Sequence, residues 1–133
     1  MSRYVIDASA ATEYLLRTDL GLKLAGIIAD AVLLAPELLD VEVLSVLRRA
    51  VWRRHLTEQR ALLAVEDLTD WAIDRIAHKE LVLTAWQYRN NVSAYDAFYV
   101  AAARLSNSPV LTTDGPLARA PLHGIVVDNI RLS

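Results

Sequence analysis

Four short apolar runs, at residues 3–6, 32–35, 109–113 and 124–127, are separated by longer stretches with helical apolar spacing. This alternation constrains the fold more than any other feature. Apolar runs of this length, bounded by turn residues, read as strands buried on both faces. Strands joined through helices pair in parallel. The expected fold is therefore a three-layer α/β/α sandwich around a short, mainly parallel sheet of four to five strands. No repeat or low-complexity linker interrupts the pattern, and 133 residues suit one core, so residues 1–133 are read as a single domain.

Between the runs the helix signals are local. Asp7-Ala8-Ser9 leads the first strand straight into a helix, and Thr18-Asp19 caps a second one reaching about Ala29. Pro36 stands where helices commonly begin, ahead of a long helix over 37–54. Thr57 caps the next. A short Trp71–Ala77 piece of no assigned type and a helical Leu81–Arg89 follow. Ser93 and Asp96 have the Ser-x-x-Asp spacing of a capping box opening a helix over 93–105, and a turn of helix is expected at 117–120.

Composition excludes several chemistries. Cys is absent, which removes disulfides, thiolate metal sites and Cys nucleophiles. No apolar run approaches the roughly 20 residues of a membrane span. Asp7 interrupts the N-terminus too early for a signal-peptide core, so a cytoplasmic protein without membrane contact is expected. The formal charge of −2 gives no global attraction for nucleic acid, which leaves only local basic patches. A hydrophobic fraction of 54% suggests that a partner covers part of the surface.

The acids then draw attention. Asp7 follows the first strand, Asp114 follows the run at 109–113, and Asp96 lies in the first turn of its helix. In such sheets ligands bind beyond the carboxyl ends of the strands, where all three can meet. Each also has a plain structural reading as a cap or turn residue. Within the long helix, Glu42 has Leu38, Leu39, Ser45 and Val46 as its neighbours at helical spacing and no local cation. Asp40 is equally unpaired, so spacing does not choose between them. Glu37 reads as a surface acid at the helix start.

Clustered carboxylates without Cys favour a hard cation, Mg²⁺ or Mn²⁺, over zinc. His55, His78 and His123 have no ligand spacing and are read as surface or loop residues. A hard cation among acids activates water and offsets charge on a phosphate, which is phosphodiesterase chemistry.

The same residues carry a resemblance. Val-Ile-Asp-Ala-Ser, Pro-Glu-Leu-Leu-Asp-Val-Glu-Val-Leu, Ser-Ala-Tyr-Asp-Ala-Phe-Tyr-Val-Ala-Ala-Ala and Leu-Thr-Thr-Asp, in that order, resemble a PIN-domain ribonuclease. More narrowly, the chain is similar to the VapC toxins of bacterial toxin–antitoxin systems over essentially its whole length. The resemblance implies an Mg²⁺- or Mn²⁺-dependent endoribonuclease, blocked by a cognate VapB-type antitoxin and commonly a homodimer. It maps the acidic set to Asp7, Glu42, Asp96 and Asp114, selecting Glu42 over Asp40 by analogy. Asp7 and Asp96 are expected to hold the metal directly, with Glu42 and Asp114 completing the acidic pocket. Ser9 and Thr113 match polar positions that support the acids. Ser93 is expected to cap while Asp96 mainly binds metal.

RNA held against an acidic pocket needs cations nearby. Arg48, Arg49, Arg53 and Arg54 surround Trp52, and Arg49 lies seven residues beyond Glu42 on nearly the same helix stripe. Arg49, Arg53 and Arg119 are the candidate RNA contacts; a solvated basic helix end is the bland reading of the first two. Trp71, Trp86, Tyr88 and Phe98 read as core or interface aromatics. A haloacid-dehalogenase-like phosphatase wants a second Asp where Ser9 stands, and a receiver domain wants paired acids at the first strand. The remaining alternative is a catalytically silent PIN-like RNA- or protein-binding module.

Overall fold

The computed structural model describes residues 1–122 and 124–132; His123, expected at the surface, lies outside them. Five strands, β1 (Arg3–Ile6), β2 (Val32–Pro36), β3 (Ile73–Ile76), β4 (Val110–Thr112) and β5 (Val127–Asn129), form one sheet in the order β3-β2-β1-β4-β5. Every pairing is parallel. The helices are α1 (Ala8–Leu16), α2 (Asp19–Ile28), α3 (Leu38–Trp52), α4 (Glu58–Asp70), α5 (Val82–Trp86), α6 (Ala94–Ser106) and α7 (Gly115–Arg119). This is the expected three-layer sandwich.

The chain steps from β1 outward to β2 and β3, then returns to lay β4 on the other side of β1. Right-handed crossovers assign α1 to α4 to one face and α5 to α7 to the other. In keeping with this, α1 packs on α2, α3 and α4, whereas α5 packs on α6. Helix α6 lies across β1, β2 and β4, burying Ala97, Tyr99, Val100, Ala101, Ala102 and Ala103. Val5, Ile6, Leu33, Leu34, Ala35, Val110 and Leu111 form the buried middle layer. Gly21 is required where α2 turns back over α1, because a Cβ there would stand 2.0 Å from the Glu13 carbonyl oxygen.

Several details depart from the sequence reading. The Trp71–Ala77 piece contains β3, whose central Asp74 and Arg75 suit a sheet edge, where charge discourages further pairing. Pro36 ends β2 instead of opening α3; at that position its N–H is not needed by β3. The last strand begins at Val127, not Gly124. Gly124 takes φ +78° in a turn and Val126 is 61% exposed, contributing only its carbonyl to Val110 N–H at 2.9 Å.

Helix α3 opens without a side-chain cap of its own, since Glu37 makes none. His78, in a 3₁₀ turn at His78–Glu80, supplies it: Nε2 accepts the Leu38 N–H at 2.8 Å. A backbone N–H only donates, so Nε2 is unprotonated and the imidazole proton sits on Nδ1. The ring also packs against Phe98, with centroids 4.8 Å apart. His78 is therefore half-buried and structural, not a free loop residue.

Candidate active site

The strand order reverses beside β1, and the carboxyl ends of β1 and β4 flank that reversal. The register Val5↔Val110 and Ile6↔Leu111 brings the next pair, Asp7 and Thr112, side by side. Asp7 also caps α1, its Oδ1 accepting the Ala10 N–H at 3.0 Å. Two hydroxyls hold the same carboxylate. Ser9 donates to Oδ1 at 2.7 Å while accepting the Thr113 N–H at 2.9 Å. Thr112 donates to Oδ2 while accepting the Asp114 N–H at 2.9 Å. Two parallel relays thus run from the backbone just after β4 through a hydroxyl to each oxygen of Asp7.

Glu42 and Asp96 approach from opposite faces of the sheet. Glu42, one turn into α3, accepts a hydrogen bond on Oε1 from Tyr99 of α6 at 2.7 Å. Asp96 lies in the first turn of α6, where Ser93 Oγ accepts its N–H at 3.2 Å. Asp114 begins α7 and makes no side-chain cap bond, leaving its carboxylate free of that duty. Together Asp7, Glu42, Asp96 and Asp114 line one cleft of about 540 Å³, with Ser9, Tyr99 and Arg49 also in its wall.

The electrostatics report the crowding. Burial pushes the Asp7 carboxyl up to about 6, against the three hydrogen bonds that favour its charge, and Asp96 adds repulsion. Burial likewise raises Glu42, opposed by Tyr99, and Asp96 again repels. Asp96 is raised by burial and by Asp114, with Ser93 opposing. Burial and the neighbouring acids push the Tyr99 hydroxyl well above its ordinary range, so it remains a donor at any physiological pH.

Asp40, which spacing left level with Glu42, points elsewhere. Its two oxygens take Arg75 Nε at 2.8 Å and Nη2 at 2.9 Å, tying α3 to β3. Of the expected supports, Ser9 is on Asp7, but the second hydroxyl there is Thr112 and not Thr113. Thr113 contributes its backbone N–H, because the register turns Thr112 toward β1. Tyr99 was also missed. It falls three residues after Asp96, on the same side of the helix, and that spacing was the available signal. Of the candidate RNA contacts, Arg49 lines the cleft, Arg53 lies exposed at the end of α3, and Arg119 lies beside Gly115 and β5, outside the cleft wall.

Among the described residues, no three Asp, Glu, His or Cys side chains converge closely enough to cage a cation unaided. The donor set instead fits a hard cation that keeps part of its water and takes one or two carboxylates directly. No helix among the described residues is long and apolar enough to cross a membrane.

Comparison with known proteins agrees with this geometry. Residues 4–121 match the PIN domain family. Ribonuclease VapC1 of Mycobacterium tuberculosis is 38% identical over 123 residues, which are 91% of this chain and 92% of the relative. Ribonuclease VapC12 of the same organism is 32% identical over 124 residues, 93% and 96% of the two chains. Among solved structures, PAE2754 from Pyrobaculum aerophilum superposes with a TM-score of 0.66 at 19% identity, covering 98% of this chain and 86% of its own. VapBC2 from Rickettsia felis, solved bound to a DNA fragment from its promoter, gives 0.58 at 15% identity, covering 95% and 97%. At those identities the structures speak for the fold alone. The fold, the family match and the two VapC relatives lead to one assignment: this chain belongs to the PIN-domain family, in its VapC group.

Proposed function

We propose that the chain is one nuclease domain, a divalent-metal-dependent endoribonuclease acting in the cytoplasm as the toxin of a toxin–antitoxin pair. The observation that carries this reading is the cleft itself: four carboxylates from four elements line it, with Arg49 as the basic side chain in its wall. Such a site is poorly suited to an anionic substrate by itself and well suited to one that arrives with a hard cation. The VapC relatives are named ribonucleases, which supports RNA as the substrate.

Asp7 and Asp96 are the residues that would hold Mg²⁺ or Mn²⁺ directly, with Glu42 and Asp114 holding its water. When bound, the ion supplies charge neutralisation for the phosphate and makes water more acidic. The chain's own residues do the rest. Ser9, Thr112 and the Ala10 N–H fix both Asp7 oxygens, and Tyr99 fixes Glu42, so the acids stay in place without reorganising. A water oriented by these carboxylates attacks phosphorus as the 3′ oxygen leaves, giving a 5′ phosphate and a 3′ hydroxyl. Exposed Leu83 and Trp86, over a groove between α5 and α6, offer a homodimer or an antitoxin apolar area to cover.

The test is incubation of the purified chain with cellular RNA, with and without Mg²⁺, followed by mapping of new 5′ ends. Cleavage dependent on Mg²⁺ and absent in Asp7→Asn is expected. Metal-independent cleavage, or intact RNA in Mg²⁺, would overturn the proposal.

A further inference from the structure

Helix α3 continues outward from the cleft. Glu42, Ser45, Val46 and Arg49 line the wall, and Trp52 and Arg53 follow at the same helical spacing. At 1.5 Å per residue, Trp52 stands roughly 15 Å beyond Glu42 along the axis. Its indole is 66% exposed, and the Arg48 guanidinium lies 3.5 Å from the ring centroid, stacked on one face. A lone exposed apolar ring needs no explanation. This one is held by a cation, lies seven residues beyond Ser45 of the cleft wall on nearly the same helix stripe, and neighbours Arg49, Arg53 and Arg54. None of these arginines pairs with a carboxylate among the described residues, where the ion pair present is Arg75–Asp40.

Arg119 lies in a separate hollow with Ala118, Asp128 and Asn129, so among the described residues Arg49 is the basic side chain in the cleft wall, and Arg53 follows it one turn on along α3. Phosphates need cations spaced along their path, and an unpaired base gains by stacking on an aromatic face.

We propose that the end of α3 is the substrate track, and that Trp52 is a base-stacking subsite. A single-stranded RNA segment leaves the cleft with its phosphates against Arg49 and Arg53. One unpaired base, a few nucleotides from the scissile phosphate, stacks on the indole face opposite Arg48. Every base has a π-face, so Trp52 sets affinity and register without reading sequence. A duplex cannot offer that base, which makes the substrate class single strands and loops. The inference rests on the ribonuclease reading for the identity of the nucleic acid.

The experiment measures binding of a labelled oligouridine to the full chain carrying Asp7→Asn, by anisotropy over a range of KCl. Adding Trp52→Leu should weaken binding about tenfold, and Trp52→Phe should restore most of it. Neither should change the salt slope. Arg49→Gln or Arg53→Gln should each reduce the slope by about 0.7, while Arg119→Gln leaves it unchanged. In the otherwise native chain, Trp52→Leu should raise KM for RNA and spare kcat. Thermal unfolding of each variant reports whether the fold is intact. Equal binding by Trp52→Leu and its parent, or equal loss in the Leu and Phe variants, overturns the subsite. Cleavage by the native chain with no Trp52 effect overturns the subsite, and an unchanged salt slope in both Arg49→Gln and Arg53→Gln overturns the track; neither touches the ribonuclease reading. Trp52-dependent binding without Mg²⁺-dependent cleavage overturns the ribonuclease reading and supports the track. Neither binding nor cleavage overturns both.

Discussion

Tyr99 donates its hydroxyl hydrogen to Glu42 Oε1 across 2.7 Å, linking helices on opposite faces of the sheet. Tyr99 is 1% exposed, so the bond is anchored on the α6 side and steers the Glu42 side chain into the cleft. Tyr99→Phe keeps the ring and removes that donor. RNA cleavage should fall about tenfold, and unfolding stability should drop by about 1 kcal/mol, the ordinary worth of such a bond. Full activity with unchanged KM in Tyr99→Phe would deny the steering role.

Asp7 offers a test of the cleft's electrostatics. Its folded-state value, about 6, lies above the ordinary 3.8, so the folded chain holds this proton more tightly than the unfolded one. Well below pH 4 the carboxyl is neutral in both states and nothing is lost. Between 4 and 6 the unfolded state gains by ionising first, and above 6 the full penalty stands at about 3 kcal/mol. Asp7→Asn removes the penalty. In EDTA its Tm should exceed the parent's at pH 7.5 and match it near pH 4. An advantage that persists undiminished at pH 4 would contradict this cause.

Metal should reverse that order. An ion that binds only the folded cleft stabilises by mass action, so Mg²⁺ should raise the parent's Tm at pH 7.5 in a concentration-dependent way. Asp7→Asn and Asp96→Asn should lose most of the rise. A parent Tm indifferent to millimolar Mg²⁺ and Mn²⁺ alike would remove the metal from the proposal.

Asp40 and Glu42 should separate cleanly. Asp40→Asn weakens the two-point contact with Arg75 at a partly exposed position, costing about 1 kcal/mol of stability and sparing cleavage. Glu42→Gln should do the opposite. If urea unfolding and RNA cleavage changed together in both variants, the division of roles between them would fail.

His78→Ala removes a cap contributed from forty residues away. The loss should be about 1 kcal/mol, as for other helix caps, with a further cost from the Phe98 contact. Hydrogen exchange at the Leu38 amide should accelerate well beyond the global change. Uniform acceleration across α3 and the sheet would show that the cap has no local effect.

Much of this was visible in the chain. Apolar runs located β1, β2 and β4, and Thr18, Thr57 and Ser93 marked their helices because capping is a local act. β3 was missed because an edge strand needs few apolar residues, and β5 was set early because Val126 looks like a strand residue while facing solvent. Asp7, Asp96 and Asp114 announced themselves by position at strand ends and a helix start. The partners that decide between neighbours did not. Arg75 claims Asp40, Tyr99 claims Glu42, and Thr112 takes Asp7 where Thr113 was expected. Each of these contacts spans dozens of residues and depends on register, which no local spacing encodes.

The seam between β1 and β4 joins the first strand of the sheet in chain order to the fourth. Thr112 must travel back over 105 positions to reach Asp7, and Asp114 arrives with it. Contacts this distant in sequence form late, after shorter loops have closed. A growing chain therefore carries α1 to α6 and three of its five strands well before it has a complete acidic cleft. Synthesis itself holds the site open and incomplete until Thr112 and Asp114 have been made.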